Sequence, residues 1–184
     1  MKNKIMIIGC GGIGSFLIPL LDRVDMYDIT VFDPDIVETK NLTYQNFQFD
    51  DVGENKAEAL ALNYNFKPQP YKVLTPEQIS GYDLVICCAD NLDVRKMMYK
   101  SEITWLDLRA QGRAGLLVSS DEDPKLYSTL TAGPEGSFSC QGDAWDKSNQ
   151  GVHFTHVAVA GYGAQWVQRH FAGDYTPKHI QVSA

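Results

Sequence analysis

Gly9, Gly11 and Gly14 have the spacing of a phosphate-binding turn, G-x-G-x-x-G, between an apolar run and a helix-like segment. In such a turn the first glycine permits a sharp bend, the second lets the backbone approach a phosphate, and the third lets the helix pack closely on the sheet. Asp33 ends the next apolar run, 19 residues after Gly14, where a strand-end carboxylate meets ribose hydroxyls. The pattern predicts a nucleotide site. The alternative is a strand–helix turn that only needs small residues.

Apolar runs alternate with helix-like segments around this turn and predict the elements that position it. Strands are expected at residues 4–8, 29–32, 71–74, 83–88 and 103–108, and helices at 13–23, 55–65 and 92–101. The first helix would add the positive end of its dipole beside a bound phosphate. This order predicts an α/β fold with a doubly wound, mostly parallel, Rossmann-like sheet.

The pattern changes after Gly112. Strands at 114–119 and 126–131 are expected, with antiparallel strands toward the C-terminus, and 132–151 should form a long loop. A helix at 152–171 and a last short strand at 179–182 then complete the fold.

Composition limits the class of protein. A chain of 184 residues is expected to be one domain, 1–184, that needs no disulfides. The four cysteines form no C-x-x-C pair, which suits reduced thiols in the cytoplasm and argues against structural zinc. A net charge of −7 without a Lys/Arg cluster argues against nucleic acid, and no apolar segment approaches the length of a membrane span.

Two more motifs follow the glycine turn in order. They are NLTYQ, within the segment after Asp33, and ADNLDVR, after the fourth apolar run. Together with GCGGIGS they resemble the ThiF/MoeB family, the ubiquitin-activating-enzyme-like adenylyltransferases, and the likeness covers nearly the entire chain. The reaction in that family is attack of a C-terminal glycine carboxylate on the α-phosphate of ATP, which gives an acyl-adenylate and pyrophosphate.

The resemblance implies a role for each matching residue. Asp33 would hold the ATP ribose, and Asn41 would contact the phosphate region. Lys56 would neutralise the triphosphate, and Asp90 would bind magnesium or steer the attacking carboxylate. The turn that would face the phosphates comprises Gly9, Gly11, Gly12 and Gly14.

Elementary chemistry agrees with these roles. Attack by one anion on another needs cations and a metal to offset the repulsion, and Lys56 with an Asp90-bound magnesium would supply them. Asp90 follows an apolar strand directly, so it should emerge at the carboxyl edge of the sheet, where ligands bind. The alternatives are a helix cap at Asp90-Asn91, a solvated helix lysine at Lys56 and an ordinary turn residue at Asn41.

The chain also departs from the family pattern. Family members usually carry an arginine where this chain has Tyr44. A second family arginine comes from a helix ahead of the first strand, and in this sequence the first strand begins almost at Met1. Arg95, Arg109 and Arg113 could compensate, although Arg95 could equally be a solvated helix residue. Otherwise the chemistry is altered or another chain donates the arginine, so a homodimer or a heteromeric partner is expected.

Cys140 lies in the loop region where some family members carry a cysteine that forms a thioester or persulfide. It stands 12 residues before Val152, further upstream than the family position, and a loop cysteine has no intrinsic claim to a low pKa. A nucleophilic role for Cys140 therefore stays open beside an ordinary structural one.

Three functions remain in competition. The first is an ATP- and magnesium-dependent adenylyltransferase acting on a ubiquitin-like or sulfur-carrier protein, or on a peptide with a C-terminal glycine. The second is a non-catalytic scaffold subunit, favoured by Tyr44 and opposed by the retained Asp33, Asn41, Lys56 and Asp90. The third, an NAD-dependent oxidoreductase, rests on the glycine turn alone.

Overall fold

The computed structural model describes residues 1–130, 141 and 151–183, apart from the side chain of Tyr127. Its strands are β1 (Asn3–Ile8), β2 (Tyr27–Phe32), β3 (Lys67–Gln69), β4 (Leu84–Cys87), β5 (Trp105–Gln111), β6 (Ala114–Ser119) and β7 (His179–Ser183). Its helices are α1 (Gly14–Asp22), α2 (Lys56–Ala61), α3 (Pro76–Ile79), α4 (Leu92–Tyr99), α5 (Pro124–Leu130) and α6 (Thr155–Ala172), with 3₁₀ turns at Thr39–Thr43 and Phe49–Asp51.

All seven strands form one sheet in the order β3-β2-β1-β4-β5-β6-β7. The pairs from β3 through β5 are parallel, whereas β6 pairs antiparallel with β5 and β7 antiparallel with β6. The predicted doubly wound α/β sheet with antiparallel strands toward the C-terminus is therefore confirmed. Its switch point lies between β1 and β4, because the chain moves outward from β1 in one direction and later continues from β4 in the other.

Both faces of the sheet are buried, because successive side chains of a strand point to opposite faces. In β1, Ile5 and Ile7 pack with Leu17 of α1 and Val159 of α6. Met6 and Ile8 belong to a second core, which includes Met98 of α4. Burial on both sides explains why the strands read as continuous apolar runs rather than as alternating ones.

Two predicted strands are wrong. Residues 71–74 form no strand; instead Leu74 donates its backbone N–H to the side chain of Gln78, at the start of α3, and the edge strand is β3. Residues 126–131 were expected to form a strand, but Pro124–Leu130 is helical. Asp123 accepts the N–H of Lys125, and a capping aspartate followed by proline at the first helical position is a helix start.

Helix boundaries also differ from the predictions at 55–65 and 152–171, since α2 ends at Ala61 and α6 begins at Thr155. In the part of the chain that is described, no helix combines the length and the apolar character needed to cross a membrane.

Candidate nucleotide-binding site

A cavity of about 1080 Å³ opens at the carboxyl edge of the parallel strands, across the switch point. The loops after β1, β2 and β4 contribute Gly9, Asp33 and Asp90 to its wall. Other residues from the predicted site that line it are Gly11, Gly12, Asn41 and Lys56. The fold thus brings together residues that are up to 81 positions apart in sequence, Gly9 and Asp90, at the place where open α/β sheets bind ligands.

The glycines of the turn serve two purposes. A side chain on Gly9 would come within 2.8 Å of the Ala89 backbone nitrogen, and one on Gly14 within 2.0 Å of the Gly9 carbonyl oxygen. Gly14 does not line the cavity, so its small size allows α1 to pack on β1. A side chain on Gly11 would meet Gln45 at 3.7 Å, an ordinary van der Waals contact, so packing does not require glycine there; Gly11 lines the cavity, where its small size lets a ligand come close to the backbone. In the first turn of α1 the N–H groups of Ser15 and Phe16 already bond to the carbonyls of Gly11 and Ile13, so the N–H groups that can meet an anion are those of Gly11 and Gly12, which line the cavity.

Two backbone N–H groups, from Cys10 and Asp35, orient the Asp33 carboxylate. One carboxylate oxygen accepts the Cys10 N–H at 2.8 Å and the other accepts the Asp35 N–H at 2.9 Å. Burial raises the pKa of Asp33 above its usual range, although these two hydrogen bonds and Lys56 oppose the rise. Each oxygen keeps a further lone pair, so the carboxylate can accept hydrogen bonds from two neighbouring hydroxyl groups.

Lys56 is the first residue of α2 and is tied to the same loop. Its ammonium lies 3.3 Å from the Asp35 carboxylate, and its backbone N–H bonds to the Asp35 carbonyl at 2.9 Å. Only 10% of the Lys56 side chain is exposed, so it is not the solvated helix lysine of the alternative interpretation.

Asn55 fixes this arrangement, although no sequence pattern pointed to it. Its side-chain oxygen caps α2 by accepting the N–H groups of Ala57 and Glu58. Its side-chain nitrogen donates to the Asp33 carbonyl at 2.9 Å and to the Asp35 carbonyl at 3.1 Å. One amide thus couples the helix that carries Lys56 to the loop that carries Asp33.

Asn41 lies in the first 3₁₀ turn and is buried in the cavity wall. Its oxygen accepts the Glu38 N–H at 2.8 Å, and its nitrogen approaches the Tyr44 hydroxyl at 3.5 Å. The Tyr44 ring stands edge-on to the His156 ring of α6, with 6.4 Å between the centroids. Gln45 is buried beside Gly11, and its side-chain oxygen has no hydrogen-bond partner in the described structure. This turn therefore presents amide groups where the family pattern has an arginine.

A helix cap and a ligand contact were the two roles considered for Asp90-Asn91, and the structure assigns the cap to Asn91. Asn91 caps α4, because its side-chain oxygen accepts the N–H groups of Asp93 at 2.8 Å and Val94 at 3.3 Å. Asp90 is exposed on the cavity wall. The cap interpretation thus holds for Asn91 and leaves Asp90 accessible to a ligand.

A buried ionic cluster that sequence reasoning missed lies at the β5 end of the cavity. Asp107, with no exposed surface, accepts from the Arg95 Nε at 2.9 Å, the Arg109 Nε at 2.8 Å and the Tyr99 hydroxyl. Burial alone would raise the pKa of Asp107, but Arg95 and Arg109 outweigh it and hold the pKa below its usual range. Arg95 is therefore not a solvated helix residue: it is buried and lines the cavity together with Arg109.

Arg113 and the cysteines, which the sequence analysis also considered, are placed as follows. Arg113 is exposed in the turn between β5 and β6. Cys10 and Cys87 are buried, and burial raises the pKa of both thiols, that of Cys87 to about 11. Cys140 lies outside the described residues.

The donor set fits a magnesium ion that arrives with a nucleotide. No cluster of three metal-ligating side chains occurs among the described residues. Magnesium that bridges nucleotide phosphates keeps several waters and needs only one or two carboxylates. Asp90, exposed at the cavity wall and adjacent to the glycine turn in strand order, meets that requirement.

Comparison with known proteins identifies relatives of most of the chain. The profile of the ThiF family matches residues 1–157. The SAMP-activating enzyme E1 of Haloferax volcanii is 30% identical over 109 residues, which cover 53% of this chain and 40% of that protein. The adenylyltransferase and sulfurtransferase UBA4 of Candida albicans is 28% identical over 162 residues, covering 76% of this chain and 37% of UBA4.

Solved structures with the same fold include E. coli MccB with ATP, at a TM-score of 0.72 and 16% identity, covering 99% of this chain and 60% of MccB. PaaA is similar at a TM-score of 0.68 and 17% identity, covering 99% of this chain and 61% of PaaA. This chain therefore spans less than two thirds of each of these proteins.

Proposed function

Because this chain belongs to the ThiF family, we propose that it is an ATP-dependent adenylyltransferase that activates a C-terminal carboxylate. The observation that carries the proposal is the convergence of Gly11, Asp33, Lys56 and Asp90 on one cavity at the switch point. The glycine turn alone would also suit a dinucleotide, but a buried lysine and an accessible carboxylate on the same cavity suit a triphosphate better.

Each residue has a defined task in this proposal. Asp33 accepts hydrogen bonds from the ribose hydroxyls, and the turn at Gly11 and Gly12 presents backbone N–H groups to the phosphates. Lys56, now paired with Asp35 at 3.3 Å, turns its ammonium to the phosphates when they bind. Asn41 contacts the same region through its amide. Asp90 holds magnesium, which when bound neutralises phosphate charge.

The acceptor is a ubiquitin-like or sulfur-carrier protein, or a peptide with a C-terminal glycine. Its terminal carboxylate oxygen forms a bond to the α-phosphorus while the bond to the bridging oxygen breaks, and pyrophosphate leaves. The product is an acyl-adenylate, and the carboxylate that attacks is the only nucleophile required. The names of the Haloferax volcanii and Candida albicans relatives support this class of reaction.

Exchange of labelled pyrophosphate into ATP, driven by candidate acceptors, tests the proposal. Lys56→Ala and Asp90→Ala should each lower the exchange rate by at least about 100-fold, because each removes charge stabilisation from the transition state. Lys67→Ala is the matched control, since Lys67 pairs with Asp28 at 2.8 Å and does not line the cavity. Calorimetry should also show tighter binding of ATP with magnesium than of NAD.

Tyr44 supports a second candidate function, a scaffold subunit that binds ATP weakly. Its ring packs edge-on to His156 and its hydroxyl lies near Asn41, so it supplies no positive charge to the triphosphate. If the wild-type chain shows no exchange with any acceptor, alone or with a co-expressed partner, the scaffold function replaces the adenylyltransferase.

We further propose that the chain works as a homodimer or with a heteromeric partner. Two large apolar side chains, one before and one after α2 in sequence, are exposed to solvent: Phe49 at 77% and Leu62 at 82%. A partner could cover them. Light scattering at several concentrations tests this.

Cys140, if it acts at all, acts after adenylation, so Cys140→Ala should leave pyrophosphate exchange intact.

A further inference from the structure

The cluster at the end of β5 carries more positive than negative charge. Asp107 supplies one carboxylate to two guanidinium groups, those of Arg95 and Arg109. The third partner, Tyr99, stays neutral because burial raises the pKa of its hydroxyl. Among the described residues of this cluster one positive charge therefore has no matching carboxylate, and a charge that is largely removed from water is stabilised when a counterion joins it.

Arg109 is the member of the cluster that a ligand can reach. Its side chain is 20% exposed, against 7% for Arg95, and it lines the cavity. Its Nε donates to Asp107, one Nη donates to the Leu130 carbonyl at 3.0 Å and the other to the Tyr99 hydroxyl at 2.8 Å. A guanidinium has five N–H groups, so two remain without a partner in the described part of the chain, one on each Nη.

These contacts also fix the direction of the guanidinium. Three hydrogen bonds from three separate elements hold it, so a ligand meets a preorganised donor rather than a flexible side chain. The two remaining N–H groups, one on each Nη, can donate to carboxylate oxygens.

The position of Arg109 separates it from the nucleotide. Ribose binding belongs to the end of β2 and phosphate binding to the end of β1, whereas Arg109 is in β5, beyond β4. With strands about 4.8 Å apart, Arg109 lies roughly 14 Å from the Asp33 side and roughly 10 Å from the glycine turn. The cavity continues past it along Gln111 and Ala114. This part of the cavity therefore has room for an acceptor beside a nucleotide bound at the β1–β2 end.

We propose that Arg109, positioned by Asp107 and Arg95, binds a carboxylate of the acceptor. The inference rests on the proposed adenylyltransferase function and names a residue that selects its substrate. The carboxylate comes either from the acceptor terminus itself or from an acidic side chain close to it.

Four synthetic peptides separate these sources: Ala-Glu-Gly-Gly and Ala-Gln-Gly-Gly, each as the free acid and as the C-terminal amide. Their affinities are measured by calorimetry with a non-hydrolysable ATP analogue and magnesium present. The proteins are the wild type, Arg109→Gln, Arg109→Lys and the control Arg113→Gln, whose side chain is exposed outside the cavity.

Arg109→Gln should weaken binding by about tenfold for the peptides that carry the recognised carboxylate and leave the others unchanged. A loss confined to the glutamate peptides assigns the side chain, and a loss confined to the free acids assigns the terminus. Arg109→Lys should keep part of the affinity, since it retains the charge without the fork of donors. Because each preference is a ratio of two peptides on one protein, partial loss of folded protein does not change it.

Equal affinities for all four peptides, or binding of none of them at millimolar concentration, would overturn the proposal. So would an Arg109→Gln variant that binds the ATP analogue more weakly while the peptide preferences stay, because Arg109 would then contact phosphate. Failure of the wild type to bind the ATP analogue at all would count against the adenylyltransferase function instead.

Discussion

The two ends of the cavity are built differently. At the β1–β2 end, backbone atoms define the site: two N–H groups hold Asp33, and main-chain atoms leave no room for a side chain at Gly9 or Gly14. At the β5 end, Arg109 is held mainly by other side chains, Asp107 and Tyr99. The first end depends on local chain geometry, and the second on charges that meet only in the folded sheet.

This difference has consequences for how each end fails. At Gly9 and Gly14 the backbone-built end tolerates no added methyl group, because a carbonyl or an amide nitrogen cannot move without the chain segment that carries it. A side-chain cluster tolerates changes of shape but not of charge, because removing one partner leaves the other charges buried without compensation.

The largest effect is expected at the backbone-built end, from Gly14→Ala. The new methyl group would lie 2.0 Å from the Gly9 carbonyl oxygen, so α1 must separate from β1. We expect the free energy of unfolding to fall by about 4 kcal/mol, measured by urea denaturation.

Gly161→Ala in α6 is the matched control, since nothing lies within 4 Å of its new methyl group. It should stabilise the protein by about 0.5–1 kcal/mol through helix propensity. If Gly14→Ala is as stable as Gly161→Ala, the glycine turn is not constrained by packing and the comparison between the two ends fails.

The next effect is expected at the ionic end, from Asp107→Asn. The substitution keeps the shape of the side chain but leaves Arg95 and Arg109 without their carboxylate, at a cost of about 3 kcal/mol in unfolding free energy. Asp28→Asn breaks an exposed pair with Lys67 and should cost less than about 1 kcal/mol. Similar losses for both variants would mean that burial adds nothing to the Asp107 cluster.

Asp107 should also make stability depend on acid. Its pKa is lowered in the folded protein, so its stabilisation is complete above the unfolded value of about 3.9 and is lost as the pH falls through the folded value. The difference in unfolding free energy between wild type and Asp107→Asn should therefore be constant from pH 7 to about pH 5 and shrink below about pH 4. A difference that stays constant down to pH 2.5 would show that folding does not lower the pKa of Asp107.

The same contrast explains what could be predicted from sequence. The glycine turn, Asp33 and the strands β1, β2, β4 and β5 follow from local patterns, because period, turn chemistry and strand ends are properties of short segments. Family resemblance then located Lys56, Asn41 and Asp90, which the structure places on the same cavity.

The rest depended on contacts that no local pattern encodes. Asp107 reads as one polar residue within an apolar strand, and Arg95 as a surface residue of a helix, until β4 and β5 pair and bring them within 2.9 Å. The strand predicted at 126–131 failed for another reason: Asp123-Pro124 is a helix start that its apolar residues concealed. Asn55 was missed because its four hydrogen bonds reach two separate segments.

The smallest effect is expected at Asn55, whose side chain bonds to backbone groups of two segments, α2 and the Asp33–Asp35 loop. Asn55→Ala removes the cap of α2 and both bonds to the Asp33–Asp35 loop, and should lower the unfolding free energy by about 2 kcal/mol. Asn91→Ala removes an equivalent cap from α4, and no bond from the Asn91 nitrogen is found in the described residues, so about 1 kcal/mol is expected. The difference in unfolding free energy between the two variants measures the contribution of the two hydrogen bonds from Asn55 to the Asp33–Asp35 loop, the tie to the loop. If that tie positions Asp33 and Lys56 for ATP, Asn55→Ala should also weaken ATP binding severalfold by calorimetry. Equal stability losses with unchanged ATP affinity would reduce Asn55 to an ordinary cap.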